Sequence, residues 1–320
     1  MKRVIFDTDI GIDDAMALLF LHYTPTVQIE AITTVSGNAS IANTTRNALY
    51  VCERFGIDVP VYRGASGPMG QALGSGHPDF VHGVNGLGNI EFADPEKTAE
   101  LKGAAEAIVE LAEAHPGEIS VVAVGRLSNL AKALSLNPRL PELLKEVVVM
   151  GGVFMRRNHG GNVSPVAEAN MAGDPSAADR VLGCGLPVTV VGLDVTQETT
   201  MDEQFIATLQ AGAGDAGQFI HDITRFYFDF YAGIDGARAC PIHDSSAVAY
   251  WLAPHLYAVE EGPVRVIAEG IAMGQTILGL TPDRYESDAW LDRPSCRVCV
   301  DVDADAVKAL YLETLALAGQ

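Results

Sequence analysis

Val4-Ile5-Phe6-Asp7-Thr8-Asp9-Ile10-Gly11-Ile12-Asp13-Asp14-Ala15-Met16-Ala17-Leu18-Leu19-Phe20-Leu21 opens the chain and decides its fold. A short apolar run ends in a turn that holds four carboxylates and a glycine, and a second apolar run then begins at helical spacing. This reads as a buried strand, a loop at the strand's carboxyl end, and a helix. The same rhythm repeats outward. Val27–Val35 precedes a helix over Ile41–Phe55, and Val59–Tyr62 precedes a glycine-rich stretch. A helix over Thr98–His115, the strand Ile119–Val124, a helix over Leu127–Leu136 and the strand Val147–Met150 follow. Asp174-Pro175 starts another helix, with Asp as N-cap and Pro at its first position, and leads to the strand Pro187–Leu193. Thr200-Met201-Asp202-Glu203 has capping-box spacing. Alternating strands and helices predict an α/β fold: an open, mostly parallel, Rossmann-like sheet covered by helices on both faces. No repeat or linker divides the chain, so one large domain over 1–320 is expected.

Composition narrows the function classes. With 21 Lys+Arg against 41 Asp+Glu the net charge is −20, which disfavours nucleic acid and anionic membrane surfaces as partners. A neutral or cationic small molecule is the easier ligand. The acidic turn follows Met1-Lys2-Arg3 too closely for a signal-peptide core, and no apolar stretch reaches the ~18 residues of a membrane span. Five thinly spread cysteines, an odd number, read as reduced thiols in a cytoplasmic protein. Cys296 and Cys299 have CxxC spacing but lie in a strand-like run without a second pair, so packing is expected of them. Glycine makes up 32 of 320 residues, or 10% against about 7% on average, and the excess gathers in loops after strands. In open parallel sheets, that is where ligands bind.

Asp7, Asp9, Asp13 and Asp14 repel one another and call for a counter-charge, and a hard cation with oxygen ligands supplies it. Three spacings for metal or phosphate chemistry fail. An EF-hand loop beginning at Asp7 needs Gly at 12 and Glu at 18, where Ile12 and Leu18 stand. The haloacid-dehalogenase type of phosphotransferase also begins with DxD, but wants Thr or Val where Gly11 stands. GxxxxGK[ST] is absent. What remains is DxDxGxDDAxAL, which resembles the opening motif of the nucleoside hydrolase family, inosine-uridine type.

That resemblance runs through nearly the whole chain. It implies calcium-dependent hydrolysis of the N-glycosidic bond of ribonucleosides, with Asp9 and Asp14 as metal ligands and Asp9 also as the base toward water. By resemblance Asp13 holds the ribose 2′ and 3′ hydroxyls, and Asp7 supports the loop. In Ser36-Gly37-Asn38, Asn38 is similar to the family asparagine that orients water and ribose. Val124-Gly125-Arg126-Leu127-Ser128-Asn129-Leu130 resembles the family's GPLTN segment, which makes the Ser128 carbonyl a calcium ligand. Asn162, Glu168 and Asn170 match groups on the 5′ and 3′ hydroxyls. Ala169 stands where the family often has an aromatic beside the base. Pro241-Ile242-His243-Asp244 supplies a further calcium ligand, Asp244, and the leaving-group acid, His243. His82 resembles a mobile-loop histidine over the base, and either Tyr227 or Tyr231 is placed to reach it. The family's homodimers or homotetramers are implied as well. Two other readings stay open: a nucleoside or ribose sensor on the same scaffold, and a magnesium-dependent phosphatase, for which Arg126 is the one basic residue in the motif loops.

Overall fold

The computed structural model describes residues 1–69, 76–281, 284 and 287–320. Its strands are β1 (Lys2–Thr8), β2 (Val27–Thr34), β3 (Val61–Arg63), β4 (Ile119–Ala123), β5 (Glu146–Met150), β6 (Val188–Val191), β7 (Thr200–Asp202), β8 (Ala239–Pro241), β9 (Tyr257–Val266), β10 (Thr276–Leu278) and β11 (Ser295–Val302). The helices of eight or more residues are α1 (Ile12–His22), α2 (Ile41–Arg54), α3 (Ala104–Ala114), α4 (Ser128–Leu136), α5 (Pro175–Leu182), α6 (Glu203–Gly212), α7 (Gly214–Asp235), α8 (His243–Leu252) and α9 (Ala304–Leu315).

Nine strands form one sheet in the order β10-β9-β11-β6-β5-β4-β1-β2-β3. From β3 across to β11 neighbouring strands run parallel, while β9 is antiparallel to both β11 and β10. The stretch β3-β2-β1-β4-β5-β6 is the doubly wound order. Connections leave β1 in one direction and return beyond it in the other, so a crevice opens beside the carboxyl end of β1. Helices on both faces explain why β4 is buried at every position. Val4, Phe6 and Val122 pack into one apolar layer, while Ile5, Val121 and Ala123 pack into the other, as period-two side chains must.

Two sequence expectations shift. The helix expected from Thr98 begins at Ala104, because Gly103 is its N-cap and Glu100 is bridged to Tyr62 beside β3. Thr200 is no helix cap: it pairs with Pro241 in β7–β8, and the Asp202 carboxylate accepts from Phe205 N instead. The expected Asp174 cap is present, accepting from Ala177 N at 3.1 Å. Cys296 and Cys299 lie on β11 facing opposite apolar layers, so the CxxC spacing brings no two thiols to one site. Of the Gly64–Gly76 stretch, residues 70–75 lie outside the described residues.

Candidate active site

Asp14 is the third residue of α1, and its carboxylate folds back over the helix start. It accepts from Gly11 N at 2.8 Å, Asp9 N at 3.2 Å, Thr8 Oγ1 at 2.5 Å and Asn38 Nδ2 at 2.8 Å. The unpaired N–H groups and the dipole of the helix start favour a negative charge there. Asp9 is enclosed by the loops after β2 and β4. A Cβ on Gly37 would stand 1.8 Å from Asp9 Oδ2, and one on Gly125 would stand 2.7 Å from Oδ1, so both positions need glycine. Oδ2 accepts from Asn38 N at 2.7 Å, whereas Oδ1 is buried with no donor among the described residues. Asp7 faces away into the sheet, where its Oδ1 takes Thr33 Oγ1 at 2.5 Å and Asn129 Nδ2 at 2.7 Å. Burial pushes Asp7 up to about 6.

Asp244, in the first turn of α8, completes the cluster. Oxygens of Asp13, Asp14 and Asp244 lie within 4.8 Å of one another, all buried. Burial, and then the neighbouring Asp14, push Asp13 up to about 8. Asp9 and Asp244 are also raised, first by burial and then by the other carboxylates. Together these carboxylates favour either shared protons or a cation. Arg126 offers only distant help by favouring the ionised form of Asp9; its stem packs against Gly173, where a Cβ would lie 2.4 Å from Nε.

Ser128, expected to lend its carbonyl here, is set apart. It is the first residue of α4, its carbonyl is directed along the helix, and its hydroxyl donates to Asp174 Oδ2 at 2.6 Å. Val124, one residue beyond β4, does line the cavity, and its carbonyl accepts from Asn170 Nδ2 at 2.7 Å. Its only signal in the sequence was its position at the end of a strand.

A small cavity of about 50 Å³ lies over the carboxylates, lined by Asp13, Asn38, Val124, Asn162, Glu168, Ala169, Asn170, His243 and Asp244 among others. Glu168 caps the short helix Ala169–Gly173. Its Oε2 accepts from Gly152 N at 2.9 Å and Met171 N at 3.1 Å, and its Oε1 accepts from Asn170 N at 2.8 Å. Oε1 keeps a lone pair for a ligand hydroxyl. The Asn162 Oδ1 accepts from Ala169 N at 3.0 Å, which fixes its amide beside the cavity.

Aromatic and imidazole rings form the remaining wall. His243 contacts Thr196 Oγ1 through Nδ1 at 2.8 Å and Tyr231 OH through Nε2 at 3.1 Å. Burial lowers it to about 4, so it is neutral near pH 7. Thr196 carried no signal in the sequence. Tyr227 OH donates to Asp13 Oδ2 at 3.3 Å, and its ring meets Tyr231 at 5.0 Å and His82 at 5.6 Å. Both tyrosines therefore belong to the site, one against the carboxylates and the other against the imidazole. His82 is buried, accepts from Ile12 N at 3.3 Å through Nδ1, and is lowered to about 3 by burial and by His243.

A doubly wound sheet sets carboxylates at its switch point, asparagine amides opposite and an imidazole beside them, and the kinship of the chain makes it a hydrolase of N-glycosyl compounds. The chain belongs to the inosine-uridine preferring nucleoside hydrolase family, whose model matches residues 4–309. It is 38% identical over 311 residues to Uridine nucleosidase 1 of Arabidopsis thaliana, covering 96% of this chain and 90% of that one. Among solved structures it superposes on a plant nucleoside hydrolase, the PpNRh1 enzyme, with a TM-score of 0.95 at 33% identity, covering 98% of this chain and 99% of the other. A purine-preferring ribonucleoside hydrolase from Gardnerella vaginalis gives 0.91 at 30% identity, with 99% of both chains covered.

Proposed function

We propose that this nucleoside hydrolase acts on ribonucleosides, releasing free base and ribose, and that it depends on calcium. One observation carries the reading: the carboxylates of Asp13 and Asp244, clustered with that of Asp14, face Asn162, Glu168 and Asn170 across a single small cavity that His243 borders.

Calcium fits the donor set. Every candidate ligand is a hard oxygen, and Asp9 Oδ1 and Asp13 Oδ1 are buried without a donor among the described residues. Asp9, Asp14, Asp244 and the Val124 carbonyl would hold the ion. When bound, it supplies positive charge that compensates the carboxylates and makes water a stronger acid. Asp9 Oδ1 accepts the proton of the attacking water. Asp13 and Asn38 hold the 2′ and 3′ hydroxyls, while Asn162, Glu168 and Asn170 hold the 3′ and 5′ hydroxyls. The surrounding carboxylates stabilise an oxocarbenium-like ring. His243 protonates the departing base. With Thr196 donating to Nδ1, the single proton of the neutral ring sits on Nε2, facing Tyr231 and the base. The same acidity disfavours a phosphorylated ligand.

The reading includes a cytoplasmic homodimer or homotetramer. Five free thiols suit a reducing compartment, and the assembly follows from the family resemblance; sedimentation tests it. An initial-rate panel of inosine, uridine, cytidine, adenosine and guanosine, with and without chelator, tests the chemistry. Turnover that chelation abolishes and calcium restores is the expected outcome. Undiminished turnover after chelation overturns the calcium dependence, and no turnover of any of the five overturns the substrate class.

A further inference from the structure

The small cavity over the carboxylates is not the end of the site. Beyond Asn162, Ala169 and His243, which line both spaces, a second cavity of about 550 Å³ continues outward. A volume of that order is what drug-sized ligands occupy, on the scale of about 300–1,000 Å³. It therefore has room for more than a base resting on Tyr227 and Tyr231. Its outer part is apolar: Phe80 is 70% exposed, Ile234 65% and Val163 57%, and the Phe80 ring meets Phe230 at 5.8 Å. At the junction Ala169 is exposed and carries only a methyl, so among the described residues it leaves the sugar side open to the apolar side.

We propose that Phe80, Val163, Phe230 and Ile234 form an outer subsite, reached past Ala169, that accepts ribonucleosides whose base carries an apolar exocyclic group about the size of a phenyl ring. This rests on the ribonucleoside reading above. An apolar substituent directed outward leaves water for a surface of rings and branched side chains, with a gain proportional to the apolar area covered. The base itself stays over the tyrosines, and the ribose stays on the carboxylates, so the reaction is unchanged.

Two matched pairs test it: uridine with 5-benzyluridine, and adenosine with N6-benzyladenosine. In at least one pair the benzylated member is expected to have a kcat/KM equal to or above its parent's. Phe80→Ser combined with Ile234→Asp should lower kcat/KM for that member by about tenfold or more, while its parent stays within about twofold. Both changes fall on exposed side chains outside the carboxylate and imidazole groups. A loss above a hundredfold on benzylation in both pairs, or an unchanged ratio in the variant, overturns the subsite. A variant that sediments as a smaller species with its ratio unchanged assigns the rim to contact between copies of the chain instead. Failure of uridine and adenosine themselves, together with inosine, cytidine and guanosine, would strike the ribonucleoside reading and is thereby distinguished.

Discussion

The two walls of the site are built on different principles. The carboxylate wall comes from the ends of β1, β2 and β4 and the start of α8, and backbone and side-chain donors tie it down; Asp14 alone accepts four hydrogen bonds. The aromatic wall comes mainly from one face of α7, together with the short helix Asp79–His82. Its rings meet at 5.0–5.8 Å, and its hydroxyls reach across to the other groups, Tyr227 to Asp13 and Tyr231 to His243. The first wall suits a pentose ring of fixed geometry whose charge rises during reaction, a task that rewards preorganised dipoles. The second opens into a wide cavity and suits a ligand part that varies. A change on the first wall should therefore cost turnover with every substrate, and a change on the second should cost turnover selectively.

The strongest break of that contrast is at Asp9. Asp9→Asn keeps the shape and the Asn38 contact but removes the carboxylate proposed as both proton acceptor and metal ligand. Loss of a general base alone costs about 10²–10⁴-fold in rate. The rate constant with uridine and with inosine should fall at least that far in a variant whose circular dichroism and melting match the parent. Activity within tenfold would place the base elsewhere.

His243 sharpens the contrast from the other side. His243→Ala should slow nucleosides with poor leaving groups by roughly 10²-fold, the usual scale for a positioned acid. p-Nitrophenyl riboside, whose phenolate leaves without a proton, should be affected far less. Equal losses on both would give His243 a binding role, and Tyr231, 3.1 Å from its Nε2, would be the next acid to test.

A smaller effect concerns protons and calcium competing for the first wall. Asp13 titrates at about 8 in the folded protein against about 3.9 in an unfolded chain. Without metal, the stability that its proton contributes is full below about 3.9 and is lost as pH rises through about 8. Calcium held beside it by Asp9, Asp14 and Asp244 gains as that proton leaves, since the ionised carboxylate attracts the ion, so the rise in Tm on adding calcium should be larger at pH 8 than at pH 6. The scale is on the order of 2–4 °C per kcal/mol of extra binding free energy. Taking the increment at each pH cancels the general charge repulsion of a protein at −20. An increment that is flat or falls with pH would mean that the cluster is not where calcium binds.

Much of the carboxylate wall was legible in the sequence, because strand, turn and helix place Asp9, Asp13 and Asp14 by local rules alone. Asn38, Glu168, Asn170 and Asp244 were legible only through the family resemblance of their motifs, and the structure brings them around one cavity. The aromatic wall was less so. Tyr227 and Tyr231 are one helical turn apart and equally plausible, and only the packing of α7 against α1 assigns one to Asp13 and the other to His243. Thr196 reaches His243 across 47 positions of sequence, a contact that no local pattern encodes. The antiparallel edge of β9 and β10 was also hidden, since periodicity reports burial and not strand direction.

Ser128 gives the smallest and most discriminating test, because the motif places it on the metal and the structure places it against Asp174. Its hydroxyl is buried at 2.6 Å from Asp174 Oδ2, which also accepts from Met69 N at 2.9 Å. Ser128→Ala removes one hydrogen bond to a charged group, worth about 1.5–3 kcal/mol, and leaves the carboxylate partly satisfied by its remaining donors. The backbone carbonyl survives the change in either case, so calcium affinity by itself distinguishes little. Ser128→Pro completes the test. It removes the same hydroxyl and, because Pro disfavours the φ −80°, ψ 16° backbone of Leu127 before it, also disturbs the carbonyls at the start of α4, while the Val124 carbonyl lies four residues away. Both variants should lose stability in urea, Ser128→Pro the more, and keep calcium affinity and kcat within about twofold of the parent. A tenfold loss of calcium affinity in Ser128→Pro that Ser128→Ala does not share would return the ligand to the start of α4 and make the carboxylate wall one loop wider than the structure draws it.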